Sequence, residues 1–163
     1  MTKDWKLSGR KAIVTGCENV LGNAIAKGLT AEGVNVCRVA NASKAGDVVI
    51  DYAQEGAADD VAKQAGAVDI LVNATSGLRN AVSTPIDVSL DDWQTEMRTE
   101  FVFSRELGHA VMSDMIKNKW GRIVNISSVW GVNPCKKRSI YAITKSGLIS
   151  FSKSLAIEYG RFN

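Results

Sequence analysis

The sequence predicts an α/β domain: a doubly wound parallel sheet with helices on both faces. Three observations lead there. Five short runs rich in β-branched residues are nearly continuous in apolar character, as strands covered on both faces require. Segments with helical spacing lie between them. The 163 residues are about the size of one domain, and 45% are hydrophobic, enough to build a core. Residues 1–163 are therefore read as one domain.

The predicted strands are Lys11–Thr15, Val34–Val39, Asp47–Ile50, Asp69–Asn73 and Arg122–Ser127. The first helix runs from Leu21 to Glu32: Leu21, Ile25 and Leu29 recur at spacings of four, and Gly33 follows as a helix stop. Ala57–Gln64 is a short helix. Ser89 and Asp92 form a capping signal for a long helix, expected over 91–118. The last helix is expected over 140–159. Only Ala40 to Gly46 joins the second and third strands, too little for a crossover helix. In open sheets of this class ligands bind beyond the carboxyl ends of the strands, where the strand order reverses. Chemistry is thus expected just after Thr15, Val39, Ile50, Asn73 and Ser127.

Composition excludes several classes of function. Twenty basic against seventeen acidic residues leave a net charge of +3, too weak to imply a nucleic-acid partner. No stretch approaches the ~20 apolar residues that span a bilayer, so no membrane partner is expected. The first six residues contain no apolar run of the secretory type. Cys17, Cys37 and Cys135 are odd in number and lack C-x-x-C spacing, which fits reduced thiols in the cytoplasm and neither a disulfide framework nor a metal site.

After the first strand comes Thr15-Gly16-Cys17-Glu18-Asn19-Val20-Leu21-Gly22, leading into a helix. A strand, a glycine-bearing turn and a helix N-terminus form a phosphate site, because orphan backbone N–H groups and the positive dipole end face the ligand. Any α/β domain can also use such a turn structurally. After the second strand, where an acidic residue would hold a ribose 2′-hydroxyl, the segment reads Ala40-Asn41-Ala42-Ser43-Lys44. It offers an amide, a hydroxyl and an ammonium to a 2′-phosphate, which leans towards NADP(H) and leaves NAD(H) open.

Late in the chain Ser128 precedes Tyr141 by thirteen residues, and Lys145 follows it by four. Positions i and i+4 share a helix face. A nearby cation favours the anionic form of a phenol, and such a phenol can exchange a proton with a carbonyl or alcohol oxygen. Ser128, at a strand's carboxyl end, is placed to hydrogen-bond the same oxygen.

Taken together, Thr15-Gly16 with Gly22, Asp69–Asn73 (DILVN), Gly121–Ser128 (GRIVNISS) and Tyr141-x-x-x-Lys145 resemble the short-chain dehydrogenase/reductase family. The run from Ser146 to Tyr159 is most similar to its 3-oxoacyl-(acyl-carrier-protein) reductase branch. The resemblance covers about residues 7 to 163. It implies a Rossmann-like sheet in strand order 3-2-1-4-5. It also implies an oxidoreductase that interconverts a carbonyl and an alcohol by hydride transfer with NADP(H). Tyr141 would be the general acid/base, Lys145 would bind the nicotinamide ribose and favour the phenolate, and Ser128 would orient the substrate oxygen. Gly16, Asn19, Leu21 and Gly22 fall on the pyrophosphate turn, Asn41 on the position that meets the adenosine ribose, and Asp51 on an adenine contact. Asn73 would lie beside the cofactor. The partners implied are a small-molecule carbonyl/alcohol substrate and further copies of the chain, as a homodimer or homotetramer through the helices over 91–118 and 140–159.

The chain departs from the family pattern at four points. Val20 replaces the middle glycine of the turn, and Asn73-Ala74-Thr75-Ser76 replaces N-N-A-G. Glu100, seven residues after Trp93, replaces a helical asparagine that in the family supports a water chain to the lysine. A carboxylate there is placed to pair with Lys145 directly and draw it from its work. Last, family members continue past the position of Asn163 with two further strands and a helix. The fifth strand is thus expected to be an apolar edge carrying Ile123, Val124 and Ile126, in a fragment or in an oligomer that covers it. The second reading these departures support is a nucleotide-binding or assembly module with impaired turnover. His109 is read as a surface or interface residue. Lys136, Lys137 and Arg138 form either a solvated loop or an attraction for an anionic substrate.

Overall fold

A computed structural model of the chain describes residues 5–41, 46–76 and 84–163. Strands β1 (Lys11–Val14), β2 (Asn35–Asn41), β3 (Val48–Ile50), β4 (Ile70–Asn73) and β5 (Arg122–Asn125) form one sheet in the order β3-β2-β1-β4-β5. Every pairing is parallel. This is the expected order. The chain steps outwards from β1 to β3, then returns to lay β4 on the other flank of β1, so the reversal falls between β1 and β4. Residues 42–47 alone separate β2 from β3, well short of an ordinary parallel crossover.

Successive strand residues face opposite sides of the sheet. Ile13, Val39 and Leu71 pack on one side against α2 (Ala57–Ala65) and α4 (Phe103–Lys117), where Val61, Phe103, Leu107 and Val111 fill the core. Ala12, Val14, Ile70 and Val72 face the other side, against Ala26, Ile25 and Leu29 of α1 (Val20–Ala31). That two-sided burial explains the unbroken apolar runs. Helix α1 ends as expected, with Gly33 at φ +79° beyond its C-cap.

The helix expected over 91–118 is corrected. It is α3 (Leu90–Met97), capped by the Ser89 hydroxyl on Asp92 N–H, then a π-helical turn over Arg98–Val102, then α4. In the π turn the Phe103 N–H reaches back five residues to the Arg98 carbonyl. One extra residue in a turn rotates everything beyond it, and hydropathy periodicity alone cannot show where that happens. The final helix, α5 (Ser139–Tyr159), lies on the same side as α4, tied to β5 by a hydrogen bond from Asn125 Nδ2 to Ser152 Oγ (2.9 Å).

Strand β5 is the edge that the sequence leads one to expect. Ile123 joins the core, whereas Val124 is 45% exposed on the opposite side. Phe103 is buried beside the Tyr52 ring, with centroids 4.8 Å apart. Phe103→Ala should cost about 3–5 kcal/mol in urea unfolding at unchanged m-value, the sum of lost transfer energy and the cavity left behind.

Candidate active site

The turn between β1 and α1 is built by two close approaches. Gly16 has φ +71°, and a Cβ there would lie 2.1 Å from the Ala74 carbonyl oxygen. A Cβ on Gly22 would lie 2.2 Å from the Gly16 carbonyl oxygen. Only glycine fits either place. Asn19 is the N-cap of α1: its Oδ1 accepts from Gly22 N–H (2.8 Å) and its Nδ2 donates to the Ala74 carbonyl (2.9 Å). The N–H groups of Val20 and Leu21, in the first helical turn, have no helical acceptor and point outwards. A cradle too tight for a Cβ beneath open N–H groups fits the pyrophosphate of a dinucleotide. Val20 takes no left-handed backbone, so the missing glycine costs no strain; its side chain stands 89% exposed in front of the turn.

At the end of β2 the structure supplies what the local sequence lacks. Glu18 folds back from the turn, and its Oε2 accepts from Asn41 N–H and from the Tyr52 hydroxyl, both at 3.2 Å. Tyr52 in turn accepts from Gly16 N–H (3.0 Å). Burial first, and the Glu18 charge second, hold the Tyr52 phenol far above its usual range, so it stays protonated. The segment after β2 has no carboxylate of its own, yet one stands at its start. The acid comes from the neighbouring turn, so reading the segment after the strand could not find it. Ser43 and Lys44 lie outside the described residues. Asp51 is exposed, and its Oδ1 accepts from Ala53 N–H.

The proton-transfer candidates meet where β5 gives way to α5. Ser128 begins a 3₁₀ turn over Val129–Gly131, and its Oγ accepts from Trp130 N–H (3.2 Å). Two hydroxyls clamp that turn to α5: Ser127 Oγ donates to the Lys145 carbonyl and Ser146 Oγ to the Gly131 carbonyl. The Trp130 ring meets buried Tyr141 edge-on at 5.9 Å, and Lys145 Nζ lies 5.5 Å from the Tyr141 ring centroid. Tyr141 and Lys145 therefore share one helix face beside the Ser128 turn, as the four-residue spacing suggests.

Lys145 is not free. Its Nζ pairs with Glu100 Oε2 at 2.8 Å and donates to the Thr75 and Ile126 carbonyls at 3.2 Å each. The pairing anticipated from the Glu100 departure is present, and the π turn carries Glu100 to it. Glu96, one turn earlier, is also buried, and its Oε1 has no hydrogen-bond partner. Burial, then the Glu100 charge, push its carboxyl up to about 7 against a weaker pull from Lys145. Sequence reading overlooked Glu96, because an acid inside a helix ordinarily reads as a solvated face. Asn73 turns its amide away from the turn: Nδ2 donates to Asn125 Oδ1 (2.8 Å) and the Ser104 carbonyl (3.4 Å), and Oδ1 is left unpaired. Among the described residues no cluster of three or more metal-ligating side chains occurs, and no helix is long and apolar enough to cross a membrane.

A parallel sheet with its order reversed at a glycine turn, and a Tyr–Lys pair at the neighbouring strand ends, defines a dinucleotide-dependent oxidoreductase fold. Residues 43–163 match the family model for short chain dehydrogenases. The chain belongs to the short-chain dehydrogenase/reductase family of NAD(P)-dependent oxidoreductases. It is 32% identical to 3-oxoacyl-(acyl-carrier-protein) reductase of Salmonella typhimurium over 92% of its length, and spans 67% of that protein. It is 35% identical to nodulation protein G of a Rhizobium species over 98% of its length, spanning 71% of that relative. Among solved structures it is similar to a 3-oxoacyl-(acyl-carrier-protein) reductase of Agrobacterium tumefaciens with NADP bound, at TM-score 0.86 and 26% identity, covering 96% of this chain and 67% of that one.

Two predictions follow from these charges. A carboxyl raised from 4.5 to about 7 by folding takes up a proton between those values. Its stabilising contribution is complete below pH 4.5 and is lost as pH rises through about 7. Glu96→Gln should flatten the fall in unfolding free energy over that window, by about 3 kcal/mol in denaturant titrations at several pH values. Glu18→Gln removes a negative charge at the end of β2. In fluorescence titrations it should tighten NADPH several-fold while leaving NADH within about twofold.

Proposed function

We propose that this chain is one dinucleotide-binding domain of an NADP(H)-dependent oxidoreductase that interconverts a carbonyl and an alcohol by hydride transfer, with Tyr141 as general acid/base. The observation that carries the reading is the buried Tyr141 phenol, set between the Lys145 ammonium on its own helix and the turn that begins at Ser128. In the direction of reduction, the Tyr141 hydroxyl gives a proton to the substrate oxygen as negative charge grows there. Ser128 Oγ uses a lone pair for Trp130 N–H and keeps its own proton to donate to that oxygen. Gly16, Asn19, Leu21 and Gly22 shape the turn that would hold the pyrophosphate. Asn41 and Asp51 lie at the strand ends on the adenosine side, and Asn73 sits at the sheet's reversal point. The bound nicotinamide supplies the hydride.

NADP(H) as cofactor is supported by the NADP in the Agrobacterium relative. A small carbonyl/alcohol pair as substrate is supported by the relatives' names as 3-oxoacyl reductases. Assembly with further copies through α4 and α5 is supported by the exposed Ile143 and Ile157 on α5. The second reading, a nucleotide-binding or assembly module of the same fold with impaired turnover, is favoured by one observation: the ion pair that holds Lys145.

NADPH oxidation with a panel of ketones and 3-oxoacyl thioesters decides between them. Wild type should turn over at least one substrate, and Tyr141→Phe should lose about 10²–10⁴-fold in kcat with its NADPH affinity intact. Equal rates for the two proteins would overturn the role of Tyr141, and NADPH binding without turnover in wild type would establish the second reading.

A further inference from the structure

We propose that Glu100 is a positioning residue that withholds Lys145 from the dinucleotide, and that it sets the cofactor affinity of this chain; the proposal rests on the dinucleotide-dependent reading above. An ammonium has three N–H donors. The Lys145 ammonium donates to the Thr75 and Ile126 carbonyls at 3.2 Å each, and lies 2.8 Å from Glu100 Oε2 in an ion pair, while that oxygen accepts no hydrogen bond. The two side chains are 2% and 1% exposed, so no solvent competes for them. The charge of the ammonium is thus already matched by a carboxylate before any ribose hydroxyl approaches.

A ribose hydroxyl that engages this ammonium competes with the three oxygens already around it. Two are main-chain atoms at the carboxyl ends of β4 and β5 and are fixed by the sheet. The third is a carboxylate, whose charge attracts the ammonium more strongly than a neutral hydroxyl can. Glu100 also cancels the positive charge that Lys145 presents to the Tyr141 ring 5.5 Å away, leaving a dipole where a lone cation would otherwise stand. Glu96 does not duplicate the clamp, since no ion pair joins it to Lys145. The π turn that aims Glu100 inwards makes this a local arrangement with its own backbone geometry.

The test is NADPH fluorescence titration of the full chain as wild type, Glu100→Gln, Glu100→Asn and Glu100→Asp, each first shown to be folded by circular dichroism. The Gln and Asn variants keep a neutral acceptor for Lys145 and should bind NADPH about tenfold tighter, as expected for one hydrogen bond to a charged group. The Asp variant keeps the charge and should bind like wild type. With a ketone substrate, the Gln variant should lower the KM for NADPH and leave the KM for the ketone unchanged. A disturbance that is merely structural would weaken binding in all three. Wild-type affinity in both Gln and Asn variants, or tightening by Asp equal to that by Gln, overturns the proposal. Should the Asn variant not fold, the isosteric Gln variant carries the test. If no folded variant, wild type included, binds NADPH or NADH at millimolar concentration, the dinucleotide reading itself falls and this proposal falls with it.

Discussion

Burying an ammonium costs several kcal/mol unless its charge and all three of its N–H groups find partners. Lys145 answers that cost from three parts of the fold at once: a hydrogen bond to the Thr75 carbonyl at the exit of β4, another to the Ile126 carbonyl at the exit of β5, and an ion pair with Glu100 from the π turn before α4. Its own α5 is held to the Ser128 turn by two further hydroxyls. The candidate proton-transfer groups are thus not appended to a finished scaffold. They sit where two strand ends and two helices converge on one cation, and a shift in any of the four alters its surroundings.

The same convergence explains the charge pattern around it. Two buried carboxyls one helical turn apart repel, and a single ammonium cannot balance both. Glu100 has the ion pair; Glu96, without one, has its carboxyl pushed up to about 7 by burial and by the Glu100 charge. A comparable division of labour holds on the other side of the sheet reversal. There Glu18 Oε2 accepts two hydrogen bonds, and the Tyr52 phenol it touches is kept protonated by burial and by the Glu18 charge.

Much of this was legible in the sequence, for identifiable reasons. Strands buried on both faces must be continuously apolar, so β1 and β4 announce themselves as KAIV and ILVN runs. The Gly16…Gly22 turn and the four-residue Tyr141–Lys145 spacing are local geometry and carry over directly. The pairing of Glu100 with Lys145 could be anticipated because a carboxylate replaced an amide at a position that the family directs towards the lysine. What stayed hidden is what depends on phase or on distant return of the chain. A π turn changes helix phase without any signature in residue type, so the break between α3 and α4, and the burial of Glu96, were invisible. The carboxylate at the end of β2 arrives from twenty-three residues upstream, which inspection of the strand's own exit cannot reveal.

The departures at the exit of β4 show why the arrangement tolerates them. Where the family pattern reads N-N-A-G, this chain has Asn73-Ala74-Thr75-Ser76, yet the two contacts made there use main-chain carbonyls. The Ala74 oxygen receives the Asn19 amide and so anchors the phosphate turn. The next oxygen, on Thr75, receives the Lys145 ammonium. Successive carbonyls of an extended segment point to opposite sides, so one short stretch can serve the dinucleotide turn with one residue and the proton-transfer centre with the next. Side-chain substitutions at 74 and 75 leave both anchors in place. Glu100 differs because its contact is made by the side chain itself, so replacing an amide by a carboxylate at that position alters the chemistry and not only the packing.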